Sequence, residues 1–177
     1  PELASIGNKT INENQALSFT INASDVDGQT LIYTATALPT GATFDPLTHI
    51  FKWTPTYSQS GTYANIKFDV SDGILTDFET ITITVKEVNR APVLAVIGNK
   101  SVNENAQLSF TVSATDADGQ TLIYSASNLP TGAAFDPVTH KFTWMPTYTQ
   151  TGSYTNVKFQ VTDGVLTDSE SITITVN

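Results

Sequence analysis

Two short acidic loops contain the residues whose types and spacing could do chemistry. Asp25 and Asp27 precede Gly28, and Asp116 and Asp118 precede a second glycine 91 positions later. The Asp-x-Asp spacing places both carboxylates on one side of an extended segment, and the glycine permits the turn that follows. Oxygen ligands without a neighbouring His or Cys are the set that calcium prefers. Solvated acidic turns have the same pattern, so a calcium site needs further oxygens from other segments.

The segments that must position these loops have the pattern of β-strands. Leu17, Phe19 and Ile21 alternate with polar residues, and such period-two patterns predict half-buried strands. No window has the period of a helix. The strands predicted in the first half of the chain are 8–12, 16–23, 31–36, 42–44, 50–53, 62–71 and 77–86. Seven short strands in so few residues are typical of a Greek-key immunoglobulin-like sandwich.

The chain is internally duplicated. Residues 1–86 align with residues 92–177 without a gap, and residues 6–9 and 97–100 both read Ile-Gly-Asn-Lys. The joining segment contains no Gly/Ser run, so we expect little play between the copies. The duplication predicts two tandem all-β repeats, 1–88 and 89–177.

The topology of such a sandwich predicts where the acids lie. Successive strands alternate in direction, so the first inter-strand loop lies at the end where the chain leaves. The loops after the second and sixth strands lie at the opposite end, where the chain enters. The predicted ligands at the junction of the repeats are Glu13, Glu87, Asn89, Asp116, Asp118 and Asp163. Five carboxylates in a small volume repel one another unless a cation joins them, which predicts calcium at this place.

Four further acids are predicted to form weaker half-sites. Asp25, Asp27 and Asp72 lie in the entry loops of the first repeat, and Glu104 lies at the exit end of the second. Each set has too few preorganised ligands to bind an ion tightly.

Composition limits the possible functions. The formal net charge of −9 argues against nucleic acid and anionic membranes as partners and is compatible with a hard cation. The chain has no cysteine, so disulfides cannot supplement its cores. No apolar run reaches membrane-spanning length, and we expect the chain to be a piece of a longer repeat array. No Ser/His/Asp constellation or phosphate loop occurs, which predicts a protein that is not an enzyme.

The aromatic residues have two possible roles, and the histidines have one. Trp53 and Tyr63, with their copies Trp144 and Tyr154, are predicted to pack in the cores, and a sugar-binding platform is the alternative. The lone histidines, His49 and His140, are predicted to be turn residues, and so are the Asp-Pro pairs before them.

The chain resembles the cadherin-like repeats of microbial surface proteins, including dystroglycan-type cadherin-like and immunoglobulin-like modules. The resemblance covers nearly the whole chain and is carried by residues 89–94, 102–105, 116–119, 135–137, 142–146 and 161–164. In cadherins calcium lies between successive repeats and stiffens the rod. The resemblance implies the same ligand positions in this sequence, namely Glu13, the 87–89 stretch, Asp116, Asp118 and Asp163.

Two departures from the cadherin pattern imply one or two ions rather than three. The loop before the sixth strand reads Thr-Tyr-Ser-Gln at 56–59, where cadherins carry two further acids. Arg90 interrupts the acidic linker, and pairing of its guanidinium with Glu87 or Asp163 could replace an ion.

The function predicted from the sequence is a non-catalytic module of a cell-surface or secreted repeat protein, stiffened by calcium as an adhesin stalk or spacer. Its expected partners are neighbouring repeats, a polysaccharide or another surface protein. A carbohydrate-binding module is one alternative, for which the aromatics to examine are Tyr33, Tyr57, Tyr124 and Tyr148. Homotypic adhesion through many weak module contacts is the other.

Overall fold

A computed structural model describes the whole chain, Pro1–Asn177, as strands joined by turns and loops. By its internal contacts the chain divides into two compact units, Pro1–Val88 and Asn89–Asn177. No helix in the structure has the length and hydropathy needed to cross a membrane. The fold is all-β, in two immunoglobulin-like repeats.

The first unit contains nine strands in two main sheets. One sheet has the order β2-β9-β8-β5, the other has the order β3-β7-β6, and β1 pairs with β4. The strands are β1 Glu2–Leu3, β2 Lys9–Asn12, β3 Leu17–Thr20, β4 Ala23–Ser24, β5 Ile32–Thr36, β6 Thr43–Asp45, β7 Ile50–Trp53, β8 Gly61–Ser71 and β9 Thr76–Lys86.

The second unit repeats this arrangement strand for strand. Its sheets have the orders β11-β18-β17-β14 and β12-β16-β15, and β10 pairs with β13. The strands are β10 Val93–Leu94, β11 Lys100–Val102, β12 Leu108–Thr111, β13 Ala114–Thr115, β14 Ile123–Ser127, β15 Ala134–Asp136, β16 Lys141–Trp144, β17 Gly152–Thr162 and β18 Thr167–Val176.

Each unit has its own aromatic core between the two sheets. In the first, Phe51 and Phe68 are fully buried, and the ring of Phe19 stacks on Phe51 with centroids 4.9 Å apart. The second core is built from the matching residues, including Phe142 and Phe159, which are also fully buried. Burying one such side chain contributes about 1.5–3 kcal/mol relative to leaving it exposed, so these rings hold the sheets together.

The predicted core roles of the tryptophans and tyrosines are confirmed. Trp53 and Trp144 are each 2% exposed, and their indole N–H groups donate to backbone carbonyl oxygens at 3.2 Å. Tyr63 Oη donates to the carbonyl oxygen of Gln59 at 3.0 Å, and the copy at Tyr154 does the same. This bond ties the loop before β8 to the strand, as tyrosines at this corner of sandwiches do.

The leading strands β1 and β10 were not predicted, because two residues are too short for an alternating pattern. Carboxylates of the last strand hold them: Leu3 N donates to Asp77 Oδ2 at 2.7 Å, and Leu94 N donates to Asp168 Oδ2 at 2.8 Å. The predicted strand 16–23 is also interrupted, since β3 pairs with β7 whereas β4 pairs with β1.

The histidines occupy turns, as predicted, and they also pack. His49 and His140 have φ values of 58° and 56°, and each ring stacks on a buried tyrosine, Tyr33 or Tyr124, with centroids 3.7 and 3.8 Å apart. The carboxylate of Asp45 accepts the backbone N–H of Leu47 at 2.8 Å and so caps the turn before His49.

The parallel pairing of β2 with β9 shows which loops lie at the same end of the sandwich. Strand β2 runs parallel to β9, so the residue after β2 lies where β9 ends. Glu13 N accordingly donates to the carbonyl oxygen of Lys86 at 2.9 Å. The acidic loops after β4 and β8, and those after β13 and β17, lie at the other end, here called the entry end of each repeat.

Candidate functional site

At the entry end of the second repeat, Asp116 organises the loop 116–120. Its Oδ1 atom accepts the backbone N–H of Asp118 at 2.8 Å and that of Gln120 at 3.3 Å. Gly119 has a φ of 75°, a conformation that residues with a Cβ seldom adopt. The turn leaves the second oxygen of Asp116 and the side chain of Asp118 available to other segments.

The loop after β17 brings Asp163 to the same end. Its Oδ1 atom accepts the backbone N–H groups of Val165 at 2.7 Å and Leu166 at 2.6 Å. Its Oδ2 atom accepts a hydrogen bond of 3.0 Å from Asn89 Nδ2. The segment that leads into the repeat is therefore bound to this loop.

Arg90 is paired with Asp118 at the entry end of the second repeat. Arg90 N donates to Asp118 Oδ2 at 2.7 Å, Arg90 Nε donates to Asp118 Oδ1 at 2.8 Å, and Nη2 donates to the Ala117 carbonyl oxygen at 2.8 Å. The hypothesis that Arg90 pairs with Glu87 or Asp163 gives the wrong partner, because the guanidinium fork fits the carboxylate opposite it. The Asp118 side chain is 7% exposed.

Three oxygens of this end are buried and accept no hydrogen bond. They are Asn89 Oδ1, Asp116 Oδ2 and Gln120 Oε1. Buried acceptors without a hydrogen-bond donor are costly, and a metal cation is one partner that such oxygens take. Gln120 was missed by sequence reasoning, although its position four residues after Asp116 in the Asp-x-Asp-Gly loop was a usable signal.

The entry end of the first repeat has the same loops and a different charge pattern. Asp25 Oδ1 accepts the backbone N–H of Asp27 at 2.9 Å, as Asp116 does in the second repeat. The amino group of Pro1 lies 3.0 Å from Asp25 Oδ2 and 3.8 Å from Asp72 Oδ2. Asp27, the copy of Asp118, is exposed.

The predicted ligands of the first repeat lie at its exit end. Glu13 is 3% exposed, and its carboxylate accepts the backbone N–H groups of Ser60 and Val88, both at 3.0 Å. Glu87 is exposed. In the second repeat, Glu104 accepts a hydrogen bond from the hydroxyl of Thr151.

Local contacts lower the pKa values of several of these aspartates. The Arg90 side chain beside Asp118 lowers the pKa of that carboxyl, and the Pro1 amino group lowers that of Asp25. Burial by itself would raise the pKa of Asp163, but the N–H groups of Leu166 and Val165 outweigh it and lower the value. These groups carry full negative charge at neutral pH.

Carboxylates alone do not complete a metal site here. No three His, Cys, Asp or Glu side chains are grouped closely enough to hold an ion. A set that includes the amide oxygens of Asn89 and Gln120 fits calcium, which takes amide and carboxylate oxygens alike.

The aromatic candidates for sugar binding divide into two classes. Tyr33 and Tyr124 are 6% and 7% exposed and belong to the cores, so neither offers a ring to a sugar. Tyr57 and Tyr148 are 40% and 71% exposed, and their hydroxyls accept hydrogen bonds of 3.3 Å from asparagine side chains.

Both repeats match one family by sequence. The sequence profile of the family described as "Putative Ig domain" matches residues 1–86 and again residues 91–177. The two matches leave only four residues between them and correspond to the two sandwiches of the structure.

Two bacterial proteins and one solved structure are similar to the chain. Chitinase A of Pseudoalteromonas piscicida is 33% identical over 130 residues, which cover 72% of this chain and 16% of the chitinase. The serine-rich adhesin for platelets of Staphylococcus aureus strain MRSA252 is 26% identical over 181 residues, or 94% of this chain and 13% of the adhesin. Repeats EC1-2 of human protocadherin-24 match with a TM-score of 0.56 and 15% identity, covering 99% of this chain and 98% of that one.

These matches have limited scope. The chain spans less than one fifth of the length of the chitinase and of the adhesin. The protocadherin match, at 15% identity, concerns the fold alone. The repeats are therefore of the immunoglobulin-like type found in adhesion proteins, with a cadherin-like fold.

Proposed function

Because the chain belongs to the family described as "Putative Ig domain", as two tandem copies, we propose that it is a non-catalytic spacer of an extracellular or cell-surface protein. Similarity to an adhesin supports a role in adhesion. The two aromatic cores take up the interior of each sandwich, and the polar groups lie at the ends. Such a module would act as a spacer, with its end loops available for binding, and would catalyse no reaction.

The entry end of the second repeat binds one calcium ion in this proposal. The observation that carries it is the trio of buried oxygens that accept no hydrogen bond, Asn89 Oδ1, Asp116 Oδ2 and Gln120 Oε1. Asp163, which accepts a hydrogen bond from Asn89, adds a second carboxylate to the proposed calcium ligands.

The ion would supply charge neutralisation and a link between the leading segment and the loops. Asn89 belongs to the segment before the first strand, whereas Asp116 and Gln120 belong to the loop after β13. An ion shared by these residues would hold that segment against the sandwich and raise the stability of the repeat by mass action. Participation of Glu13 and Glu87, and of Asp118, stays a prediction from the sequence; Asp118 already has Arg90 as its partner.

Calorimetric titration of the calcium-free chain tests the proposal. We expect about one ion per chain, and an increase of about 2.7 kcal/mol in the stability of the second repeat when calcium is at 100 times its dissociation constant. Asp116→Asn keeps the oxygen that organises the turn and removes the charge, so it should abolish the binding heat. Gln120→Ala should weaken binding without removing an acid.

The matched control is Asp27→Asn, which removes an exposed acid of the first repeat and should leave calcium binding unchanged. Absence of a binding heat in the unsubstituted chain would contradict the calcium proposal. Equal losses in the Asp116 and Asp27 variants would also contradict it, because they would indicate a general effect of net charge.

Carbohydrate binding is the second candidate function. It is favoured by Tyr148, which is 71% exposed and whose hydroxyl accepts a hydrogen bond of 3.3 Å from Asn105 Nδ2. A ring beside an amide is a combination that stacks on a sugar and bonds its hydroxyls. Similarity to a chitinase makes chitin the polysaccharide to test. Retention on chitin that is lost in Tyr148→Ala would support this function, and passage of the unsubstituted chain without delay would exclude chitin.

A further inference from the structure

We propose that Glu13 and Arg90 anchor the two sides of the Val88–Asn89 connection without a metal ion, and that Arg90 acts as a cation built into the chain. Each repeat holds its own side of the connection through a carboxylate. The first repeat uses Glu13 to hold Val88, and the second uses Asp118 to hold Arg90.

On the first side, the anchor is a buried carboxylate. Glu13 is 3% exposed, so its charge requires hydrogen-bond donors. Its Oε2 atom accepts the backbone N–H of Val88, two residues beyond the end of β9, and its Oε1 atom accepts that of Ser60, each at 3.0 Å. The bond to Val88 extends the attachment of the chain past the last strand.

On the second side, the anchor is a guanidinium–carboxylate pair reinforced by the backbone. Asp118 accepts from both the backbone N–H and the side-chain Nε of Arg90, at 2.7 and 2.8 Å. Arg90 Nη2 also donates to the Ala117 carbonyl oxygen. Three donors of one residue therefore contact adjacent groups of a single loop, which fixes both the main chain and the side chain at this position.

The residues on the two sides of the Val88–Asn89 peptide bond are each bonded within their own repeat. Val88 is bonded within the first repeat, while Asn89 and Arg90 are bonded within the second. The bonds of Val88 and Arg90 use oxygens other than those assigned above to calcium. Val88 and Arg90 should therefore keep these bonds when calcium is absent, and this inference stands independently of the proposed calcium site.

Hydrogen exchange in the calcium-free protein tests the inference. Arg90 is the single arginine of the chain, so its Nε–H group gives one assignable signal in a ¹⁵N-labelled sample. In EDTA we expect slow exchange of both this group and the Val88 amide. Asp118→Asn should speed exchange of the Arg90 Nε–H about tenfold or more, as expected for loss of a charge-assisted bond. Glu13→Gln should do the same for the Val88 amide.

Two substitutions serve as matched controls. Asp27→Asn changes the first-repeat copy of Asp118, and Glu104→Gln changes the second-repeat copy of Glu13. Neither should alter exchange at Arg90 or Val88. If Glu13→Gln fails to fold, Asp118→Asn and the exchange rates of the unsubstituted chain still decide the matter.

Exchange of the Arg90 Nε–H at the rate of an unstructured peptide in EDTA would overturn the inference. So would displacement of Arg90 from Asp118 on addition of calcium, seen as faster exchange of the same group. An unchanged Arg90 signal across a calcium titration would support it. Failure of the chain to bind calcium, with slow exchange intact, would refute the calcium site and leave the anchors standing.

Discussion

The entry ends of the two repeats carry the same acidic loop, but the second acid of that loop is exposed in one repeat and paired in the other. In the first repeat Asp27, the second acid, is exposed. In the second repeat its copy, Asp118, pairs with Arg90, and Asp116 Oδ2 is buried without a hydrogen-bond donor. The Arg90 side chain, which belongs to the segment leading into the sandwich, thus occupies one carboxylate of the loop and leaves an oxygen of the other without a donor.

Removing a core aromatic ring should lower the unfolding free energy of a repeat more than any other change considered. It also tests whether the two repeats unfold independently, which the comparison of their entry ends assumes. Phe142→Ala should cost the second repeat about 3–5 kcal/mol, because it opens a cavity at a fully buried position. Phe51→Ala should do the same to the first repeat alone. Chemical denaturation followed by residue-resolved NMR checks this, and equal destabilisation of both repeats by either change would contradict independent cores.

Acid should weaken both repeats, with a contribution from Asp118 found only in the second. Asp25, Asp72, Asp118 and Asp163 have lowered pKa values when folded. The folded state therefore holds these protons less tightly, so its stability is present above about pH 4 and is lost as the pH falls through the lowered values. Urea denaturation at pH 6 and pH 3 measures the loss for each repeat.

The Asp118→Asn variant sharpens this measurement. Its second repeat should lose less stability between pH 6 and pH 3 than the unsubstituted repeat, because the group paired with Arg90 no longer titrates. An equal pH dependence with and without Asp118 would show that its pairing contributes nothing to folding.

The leading strands β1 and β10 should be loosened to the same extent when the carboxylates that hold them are replaced by amides. Asp77→Asn and Asp168→Asn weaken the bonds that hold Leu3 and Leu94, so each should speed hydrogen exchange of its own leading amide about tenfold. The core amides of β8 and β17 should keep their rates. A response in one repeat only would mean that another contact holds the leading strand of the other repeat.

Replacing the exposed tyrosines should change the unfolding free energy least. Tyr148→Ala should change the unfolding free energy of the second repeat by less than about 0.5 kcal/mol, as is usual for exposed positions. Tyr57, at 40% exposed, should have a slightly larger effect in the first repeat. Thermal unfolding measures both, and a large loss in Tyr148→Ala would indicate a structural role.

Much of the fold follows from local patterns. The alternation in residues 17–21 and 66–70 marks strands and their buried faces, because the side-chain period of a strand is two. Strands β1 and β10 do not follow from it, since side chains of Asp77 and Asp168, 74 residues away, hold them. Parts of the candidate site follow from topology: strand alternation predicts that Asn89, Asp116 and Asp163 share one end.

Other parts of the site required side-chain positions. The preference of Arg90 for Asp118 over Asp163 depends on which carboxylate faces the guanidinium fork, and sequence spacing does not specify that. The place of Gln120 among the proposed calcium ligands depends on the burial of its Oε1 atom, because an amide oxygen in a solvated turn has water as its partner.

The sequence by itself determined the duplication, the two all-β sandwiches, their aromatic cores and the gathering of acids in loops, since these depend on composition and on periods along the chain. Only the tertiary structure decided which oxygens are paired and which are left without a donor. Pairing depends on distances of about 3 Å between atoms far apart in sequence. Those distances are fixed by the packing of the strands that carry the loops, so they exist only once the sandwich has formed.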